Sequence, residues 1–135
     1  MIKTTDIKLK LDFDASNNLF TGSFHPDFYT LRYLDLSYNY INETLGEDVD
    51  DECNLEQLYL SDNQLTGNLS SALFKHCYKI NNINLRNNQL TGIGNVSSLT
   101  LTILELSYNN ITSFPKINST SLIELYLQYN QLSGS

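Results

Sequence analysis

The apolar residues of this chain follow a pattern that returns six times. Each copy reads as a leucine-like residue, two variable residues, Leu-x-Leu, two more variable residues, then asparagine and another apolar residue; the first copy lacks its opening leucine. The asparagines are spaced 21, 24, 25, 21 and 21 residues apart. They are Asn18, Asn39, Asn63, Asn88, Asn109 and Asn130. A repeat of this length and pattern predicts a solenoid in which each copy forms one turn.

The Leu-x-Leu part of each copy predicts a short strand. Side chains alternate along a strand, so the two apolar residues face inward and the residue between them faces outward. The inward pairs are Leu34 and Leu36, Leu58 and Leu60, Ile83 and Leu85, Leu104 and Leu106, and Leu125 and Leu127. One copy cannot bury its apolar row alone, whereas stacked copies can. We therefore expect a β-dominated α/β solenoid, right-handed, with a parallel sheet on its concave face and irregular or short helical convex segments.

The asparagine of each copy has a predicted structural role. The chain must turn sharply after each strand, which leaves backbone N–H and C=O groups without partners in the sheet. An inward-pointing asparagine carries both a donor and an acceptor, so it can bridge backbone groups of neighbouring turns. We expect the six asparagines to form a ladder along the solenoid and to have no binding role.

The length and the two ends of the chain favour a domain from a longer array. Its 135 residues suit one domain of about six repeats over residues 1–135. Apolar and polar residues alternate near the N-terminus, which predicts an irregular first strand from Ile7 to Ala15 rather than a signal peptide. Neither end has a clear cap for the apolar core, so a fragment is the leading interpretation. No apolar run reaches the roughly 18 residues of a membrane span.

Residues 34–39, Leu-Asp-Leu-Ser-Tyr-Asn, resemble the leucine-rich repeats of plant-type receptors, whose consensus continues Leu-x-Gly-x-Ile-Pro. This continuation is matched by residues 20–24, 65–69, 90–93 and 132–134. In that family it leads into a second short strand on one flank. His25 and Ser70 stand where the consensus has proline, and residues 111–115 are more similar to the shorter typical repeats. The resemblance implies that the concave face recognises a protein or a peptide.

Three columns of outward-pointing residues line the predicted concave face. The first column, before the centre of each strand, contains Asp12, Tyr33, Gln57, Asn82, Ile103 and Glu124. The second column, after the centre, contains Asp14, Asp35, Tyr59, Asn84, Glu105 and Tyr126. The third column, in the turn beyond the strand, contains Asn17, Tyr38, Asp62, Asn87, Tyr108 and Tyr129. Six of the nine tyrosines lie in these columns, and tyrosine is enriched at interfaces because it offers a large contact area with a polar tip.

These columns supply the candidate ligand-binding residues. The candidates are Tyr33, Asp35, Tyr38, Tyr59, Asp62, Arg86, Glu105, Tyr108, Glu124, Tyr126 and Tyr129. Six acidic residues lie in the columns, and Arg86 is the only cation expected near them. The face therefore predicts a basic or polar protein or peptide partner with salt-sensitive association. Alternatively, the tyrosines are there because tyrosine suits half-exposed strands.

Three functional hypotheses follow. The leading one is recognition of a protein or peptide by part of a larger receptor-like or secreted protein. The alternative is a structural protein whose uncapped ends stack head to tail into filaments or arrays. A third possibility is an intracellular regulatory adaptor, suggested by the 21-residue spacings and the missing signal peptide. The net charge of −7 argues against a nucleic-acid partner.

Enzymatic and metal-dependent functions find no support in the sequence. There are two histidines, and motifs for a nucleophile, a phosphate loop or a metal site are absent. The acidic run of residues 47–52 lacks the spacing and glycine of an EF-hand, so we interpret it as a solvated loop rather than a calcium site. We expect no enzyme activity, no cofactor and no bound metal.

Cysteines and glycosylation sequons bear on where the protein is located. Cys53 and Cys77 occupy nearly equivalent positions of consecutive repeats, so a disulfide is sterically possible, but we expect two buried thiols. Five Asn-x-Ser/Thr sequons could accept glycans, where about three are expected by chance. They begin at Asn42, Asn68, Asn95, Asn110 and Asn118. A fragment would favour an extracellular or cell-surface location, and a complete chain the cytoplasm.

Overall fold

The concave sheet contains six parallel strands, one from each turn of the solenoid. The computed structural model describes residues 12–22, 30–46, 49 and 52–134. The strands of this sheet, in spatial order, are β1 (Asp12–Asp14), β3 (Tyr33–Asp35), β5 (Gln57–Tyr59), β7 (Asn82–Asn84), β9 (Ile103–Glu105) and β10 (Glu124–Tyr126). Every neighbouring pair is parallel and in register, which confirms the predicted fold.

A second set of short strands follows the turn beyond the concave sheet. Strand β2 (Thr21–Gly22) pairs with β4 (Tyr40–Ile41), and β6 (Thr66–Leu69) pairs with β8 (Gln89–Ile93). The second pair contains a register shift after Gly67, where φ is +72° and an added Cβ would lie 2.8 Å from Thr44 Cγ2. The positive φ and the close side-chain contact both favour glycine at this position. These strands confirm the flanking strand that the resemblance implied.

The convex side carries one short helix within the described ranges, α1 (Ser71–His76). Ser70 is its N-cap, and the Ser70 side chain accepts a hydrogen bond from the Ala72 N–H at 3.2 Å. Leu73 and Phe74 bury the apolar face of the helix. Ser70 thus occupies the consensus proline position because it caps a helix there.

The apolar core lies between the concave sheet and the convex segments. In the four inward pairs from Leu34 to Leu106, every side chain is at most 3% exposed. Leu125 and Leu127 are partly buried, because they lie on the last described turn. The predicted inward orientation is confirmed for the four buried pairs.

The first strand ends one residue before its predicted end. Strand β1 ends at Asp14, so the expected extension to Ala15 is wrong, while residues 7–11 lie outside the described ranges. The Asp14 carboxylate accepts a hydrogen bond from the Ser16 N–H at 2.9 Å, which turns the chain away from the sheet. The Ala15 N–H still donates to the Asp35 carbonyl at 2.9 Å.

The two cysteines form a disulfide, so the expectation of separate thiols is wrong. Cys53 and Cys77 are bonded with an S–S distance of 2.08 Å, and their Cα atoms lie 4.7 Å apart. The bond forms because the two residues occupy matching places on neighbouring turns, one strand spacing apart. Both residues are almost fully buried. The acidic run beside this disulfide lies mostly outside the described ranges.

The concave face as a candidate binding surface

The asparagine ladder supports the edge of the concave face. Asn63 shows the arrangement: its Nδ2 donates to the carbonyls of Leu36, Leu60 and Ser61 at 2.9–3.2 Å, and its Oδ1 accepts from the Ile41 N–H at 3.0 Å. Equivalent bonds between turns are made by Asn39, Asn88, Asn109 and Asn130. Asn18 is exposed, and its Nδ2 donates to carbonyls of its own turn. The ladder fixes the backbone from which the three columns project.

The third column has an unusual backbone conformation in all six turns. Its residues adopt φ values of 56–58°, in the left-handed region: Asn17, Tyr38, Asp62, Asn87, Tyr108 and Tyr129. Asparagine and aspartate tolerate this region better than other residues with side chains. One of these two residue types occupies the third column in three of the six turns, and this recurrence could have predicted the left-handed conformation from the sequence. Sequence reasoning placed this column on the concave face but missed its conformation.

Tyr33 and Tyr59 form an aromatic pair near one end of the face. Their ring centroids are 5.5 Å apart and the rings are tilted by 48°. The Tyr33 hydroxyl donates to Asp35 Oδ2 at 3.3 Å, and the Tyr59 hydroxyl donates to Gln57 Oε1 at 3.1 Å. The pair therefore presents two oriented rings next to a carboxylate.

The phenols of this pair are held in their neutral form. Burial, together with the negative charges of Asp35 and Asp14, raises the pKa of Tyr33 to about 12. Burial and Asp35 also raise the pKa of Tyr59. At the other end of the face, a 2.6 Å hydrogen bond to Glu124 raises the pKa of Tyr126. All three hydroxyls therefore remain protonated, as hydrogen-bond donors, to a higher pH than an ordinary tyrosine.

Arg86, Tyr108 and Tyr129 form a stack along the other half of the face. The Arg86 guanidinium carbon lies 4.3 Å from the centre of the Tyr108 ring. Tyr108 stacks on Tyr129 with centroids 4.3 Å apart and an interplanar angle of 18°. Arg86 Nη1 also donates to Ser107 Oγ at 3.0 Å. The stack orders a flat aromatic surface whose outer member, Tyr129, is 69% exposed.

The second-column side chains also have a structural role that sequence reasoning missed. The carboxylates of Asp35 and Glu105 each accept a hydrogen bond from the backbone N–H two residues later, at 2.9 and 2.8 Å. Asp14 makes the same contact, and this hydrogen bond lowers its pKa. These side chains stabilise the turn that leads into the third column. Substitutions there must preserve this acceptor if binding is to be tested separately from folding.

An open pocket of about 260 Å³ lies beside the aromatic pair, and its lining includes charged residues that the sequence analysis did not place near the face. It is lined by Asp12, Arg32, Tyr33, Glu56 and Gln57. Arg32 Nε lies 3.6 Å from Glu56 Oε1. The sequence predicted that Arg86 would be the only cation near the face. This prediction is wrong, because Arg32 also lies there. The missed signal was the opposite charge of Arg32 and Glu56 at the same position of neighbouring repeats.

The other candidate residues are distributed between these two groups. Tyr38 is 57% exposed, and Asp62 accepts a 2.7 Å hydrogen bond from Asn87 Nδ2. Across the described ranges, no group of three or more His, Cys, Asp or Glu residues could hold a metal ion. In the same part of the chain, no helix is long and apolar enough to cross a membrane.

Comparison with known proteins agrees with this architecture. A sequence model described as Leucine Rich Repeat matches residues 30–51 and 54–76, and a second, described as Leucine Rich repeat, matches residues 97–113. No curated protein matches the chain. Together with the solenoid, the two sequence models identify the chain as a leucine-rich repeat protein. This fold is typically a binding scaffold without catalytic activity.

A solved structure gives a more particular similarity. The chain is similar to the leucine-rich repeat ectodomain of the plant membrane receptor kinase GASSHO1/SCHENGEN3 from Arabidopsis thaliana, determined in complex with CASPARIAN STRIP INTEGRITY FACTOR 2. The TM-score is 0.65, with 25% sequence identity over 91% of this chain. The chain spans 19% of the length of that ectodomain.

Proposed function

We propose that the concave face binds a protein or peptide segment, and that the chain belongs to a larger receptor-like or secreted protein. Leucine-rich repeat solenoids commonly mediate protein binding. The similar ectodomain was determined in complex with CASPARIAN STRIP INTEGRITY FACTOR 2, which supports a partner of this kind. The contact residues we assign are the tyrosines of the three columns and the acidic residues between them.

The observation that carries this proposal is the presence of tyrosine at left-handed backbone positions. Tyr38, Tyr108 and Tyr129 adopt φ values of 57–58°, where Asn17 and Asn87 stand in other turns. A residue with a Cβ pays roughly 1–2 kcal/mol for this conformation, and asparagine pays less. Tyrosine at these positions therefore disfavours folding while presenting ring surface. Residues kept in strained conformations often serve binding rather than stability.

The charge of the face sets the chemistry of the partner. Asp12, Asp14, Asp35, Asp62, Glu105 and Glu124 lie in the columns. Among the described residues, two cations lie beside them: Arg32 faces Glu56, and Arg86 lies against the Tyr108 ring. The remaining negative charge favours a segment with lysine or arginine side chains. Such side chains also bind well over tyrosine rings.

A peptide selection tests this proposal. A phage-displayed library of random dodecapeptides is selected on the folded protein, and the affinity of the recovered peptides is measured. We expect peptides rich in arginine or lysine, with binding that weakens as salt is raised. Tyr108→Asn with Tyr129→Asn should weaken binding at least about tenfold, since exposed tyrosines that become buried on binding are common interface hot spots.

The matched control is Tyr78→Asn. Tyr78 is 57% exposed, as Tyr38 is, but lies outside the three columns. This variant should retain the affinity of the original chain. Equal affinity in the double variant, or selection of acidic peptides, would contradict the proposal.

A further inference from the structure

We propose that the chain carries N-linked glycans at Asn42, Asn95, Asn110 and Asn118, and that these glycans leave the concave face open. The proposal concerns covalent modification and does not depend on the identity of the partner. It rests on the exposure of the sequons, on their position in the solenoid and on the disulfide.

Exposure separates the sequon asparagines from the others. All five sequon asparagines are exposed, against three of the other twelve in the chain. Asn109 and Asn110 illustrate the separation, because the first is a buried member of the ladder and the second begins a sequon. Six of those twelve are ladder asparagines, which the repeat follows with an apolar residue two positions later and which therefore cannot begin a sequon; of the remaining six, two are exposed, Asn17 and Asn87. The restriction of the sequons to exposed positions is expected when the asparagine must carry a bulky, solvated sugar.

The side chains of four of these asparagines are available for modification. In the described part of the chain, Asn42, Asn95, Asn110 and Asn118 make no side-chain hydrogen bond. Hydrogen bonds between turns fix the backbone at three of them: the N–H of Asn42 donates to the Gly22 carbonyl at 3.2 Å, and those of Asn110 and Asn118 donate to the Leu90 and Val96 carbonyls at 2.8 Å. An ordered backbone with an unpaired exposed amide tolerates a glycan without loss of structure.

Asn68 is left out because its side chain has a packing role. Its Oδ1 accepts from Thr91 Oγ1 at 3.4 Å and would lie 2.5 Å from a Cβ added at Gly92. In addition, the Ser70 hydroxyl of this sequon caps α1. The amide of Asn68 thus packs against strand β8 rather than projecting freely.

The four sites lie outside the concave columns. Asn42 directly follows β4, and Asn110 follows the ladder residue of its own turn. Asn95 and Asn118 adjoin the bridge between Val96 and Ile117 on two neighbouring turns. Glycans there would cover the flank and the segment beyond it, so a macromolecular partner would have access to the concave face.

The disulfide is the independent observation. Cys53 and Cys77 are bonded and almost fully buried. Disulfides form and persist in oxidising compartments, chiefly the secretory route, and N-glycans are added to secreted and surface proteins. The disulfide and the sequons involve different residues, and both indicate passage through the secretory route.

Peptide mapping of the protein from its natural source tests the proposal. The protein is treated with peptide N-glycosidases F and A in heavy-oxygen water, which converts each glycosylated asparagine to labelled aspartate. We expect labelled aspartate at the four sites. Unmodified asparagine at one site would remove that site from the proposal. Unmodified asparagine at all four would overturn it.

A pair of variants secreted from a eukaryotic host tests the sequon at Asn110. Thr112→Ser preserves the sequon, whereas Thr112→Ala removes it. We expect the sugar on Asn110 in the original chain and in Thr112→Ser, and its loss in Thr112→Ala. A sugar-free Asn110 in the original secreted chain would overturn the assignment of this site. The binding assay on sugar-free protein remains a separate test, so failure of one proposal does not imply failure of the other.

Discussion

Tyr108 and Tyr129 occupy the same position in neighbouring turns, and their rings stack with centroids 4.3 Å apart. Both residues have left-handed backbone conformations, with φ values of 57° and 58°. An aromatic stack contributes roughly 0.5–1.5 kcal/mol, which offsets only part of the roughly 1–2 kcal/mol that this conformation costs each of the two tyrosines. The stack therefore keeps the two rings in place without giving the pair a net stabilising effect. This relationship links the concave surface to specific expectations about folding.

Tyr38→Asn should raise the free energy of unfolding by about 0.5 kcal/mol, because asparagine adopts the left-handed conformation more readily than tyrosine. Denaturant unfolding measures the difference. The control is Tyr40→Asn: Tyr40 is 48% exposed but lies in strand β4, where asparagine is less favourable, so a small decrease is expected. A clear loss of stability in Tyr38→Asn would show that the ring contributes to folding and would weaken its assignment as a contact residue.

Asn63→Ala should lower the free energy of unfolding by at least about 2 kcal/mol, because the buried N–H of Ile41 and the carbonyl of Leu36 lose their partner. Asn18→Ala is the matched control at the exposed end of the ladder and should change stability by less than about 0.5 kcal/mol. Thermal and denaturant unfolding both report the comparison. Similar losses for the two variants would mean that the bonds between turns are not the source of the stability.

Removing the disulfide should destabilise the chain by about 3.5 kcal/mol, from the entropy of an unfolded loop closed over 24 residues. Cys53→Ala with Cys77→Ala removes the bond while keeping small apolar side chains. A reductant should lower the unfolding temperature of the original chain and leave the double variant unchanged. Insensitivity of the original chain to a reductant under unfolding conditions would argue that the bond does not form.

Asp35→Asn should lower the pKa of Tyr33 from about 12 towards its ordinary value of 10.0, although burial, the larger cause, remains. Asparagine can still accept the hydrogen bond from the Ser37 N–H, so the turn is preserved. Carbon-13 NMR of labelled tyrosine rings measures the titration, with Asp62→Asn as control. An unchanged pKa in Asp35→Asn would remove the carboxylate as a cause.

The same shift predicts the direction of the alkaline stability. The pKa of Tyr33 is higher in the folded chain than in the unfolded one, so the folded chain holds more protons between pH 10 and about 12. The contribution of Tyr33 is fully present below pH 10 and is lost as pH rises through about 12. Tyr33→Phe, which cannot ionise, should lose less stability across this window.

The repeat pattern was sufficient to predict the sheet, the inward pairs and the columns. These features depend on the alternation of side chains along a strand and on the stacking of equivalent positions. Together, these rules predict that Leu58 faces the core and that Tyr59 faces outward. The convex features were less predictable, because turns of different lengths are not brought into register by the pattern. The Cys53–Cys77 bond and helix α1 belong to this group.

The details of the candidate surface depend on contacts between turns. The pocket beside Tyr33 is lined in part by Arg32 and Glu56, which approach each other from neighbouring turns. The left-handed conformation of the third column depends on the backbone beyond the strand, which tyrosine does not signal. Sequence reasoning therefore located the candidate residues but not their conformation or their partners.

The most direct test is an NMR map of the surface that contacts a basic peptide recovered from the selection. Backbone amide signals of the labelled chain are followed during titration with the peptide. The predicted result is perturbation concentrated on the second and third columns, including Tyr108 and Tyr129, with little change in α1. Perturbation centred on α1 and the convex side, with the columns unaffected, would contradict recognition by the concave face.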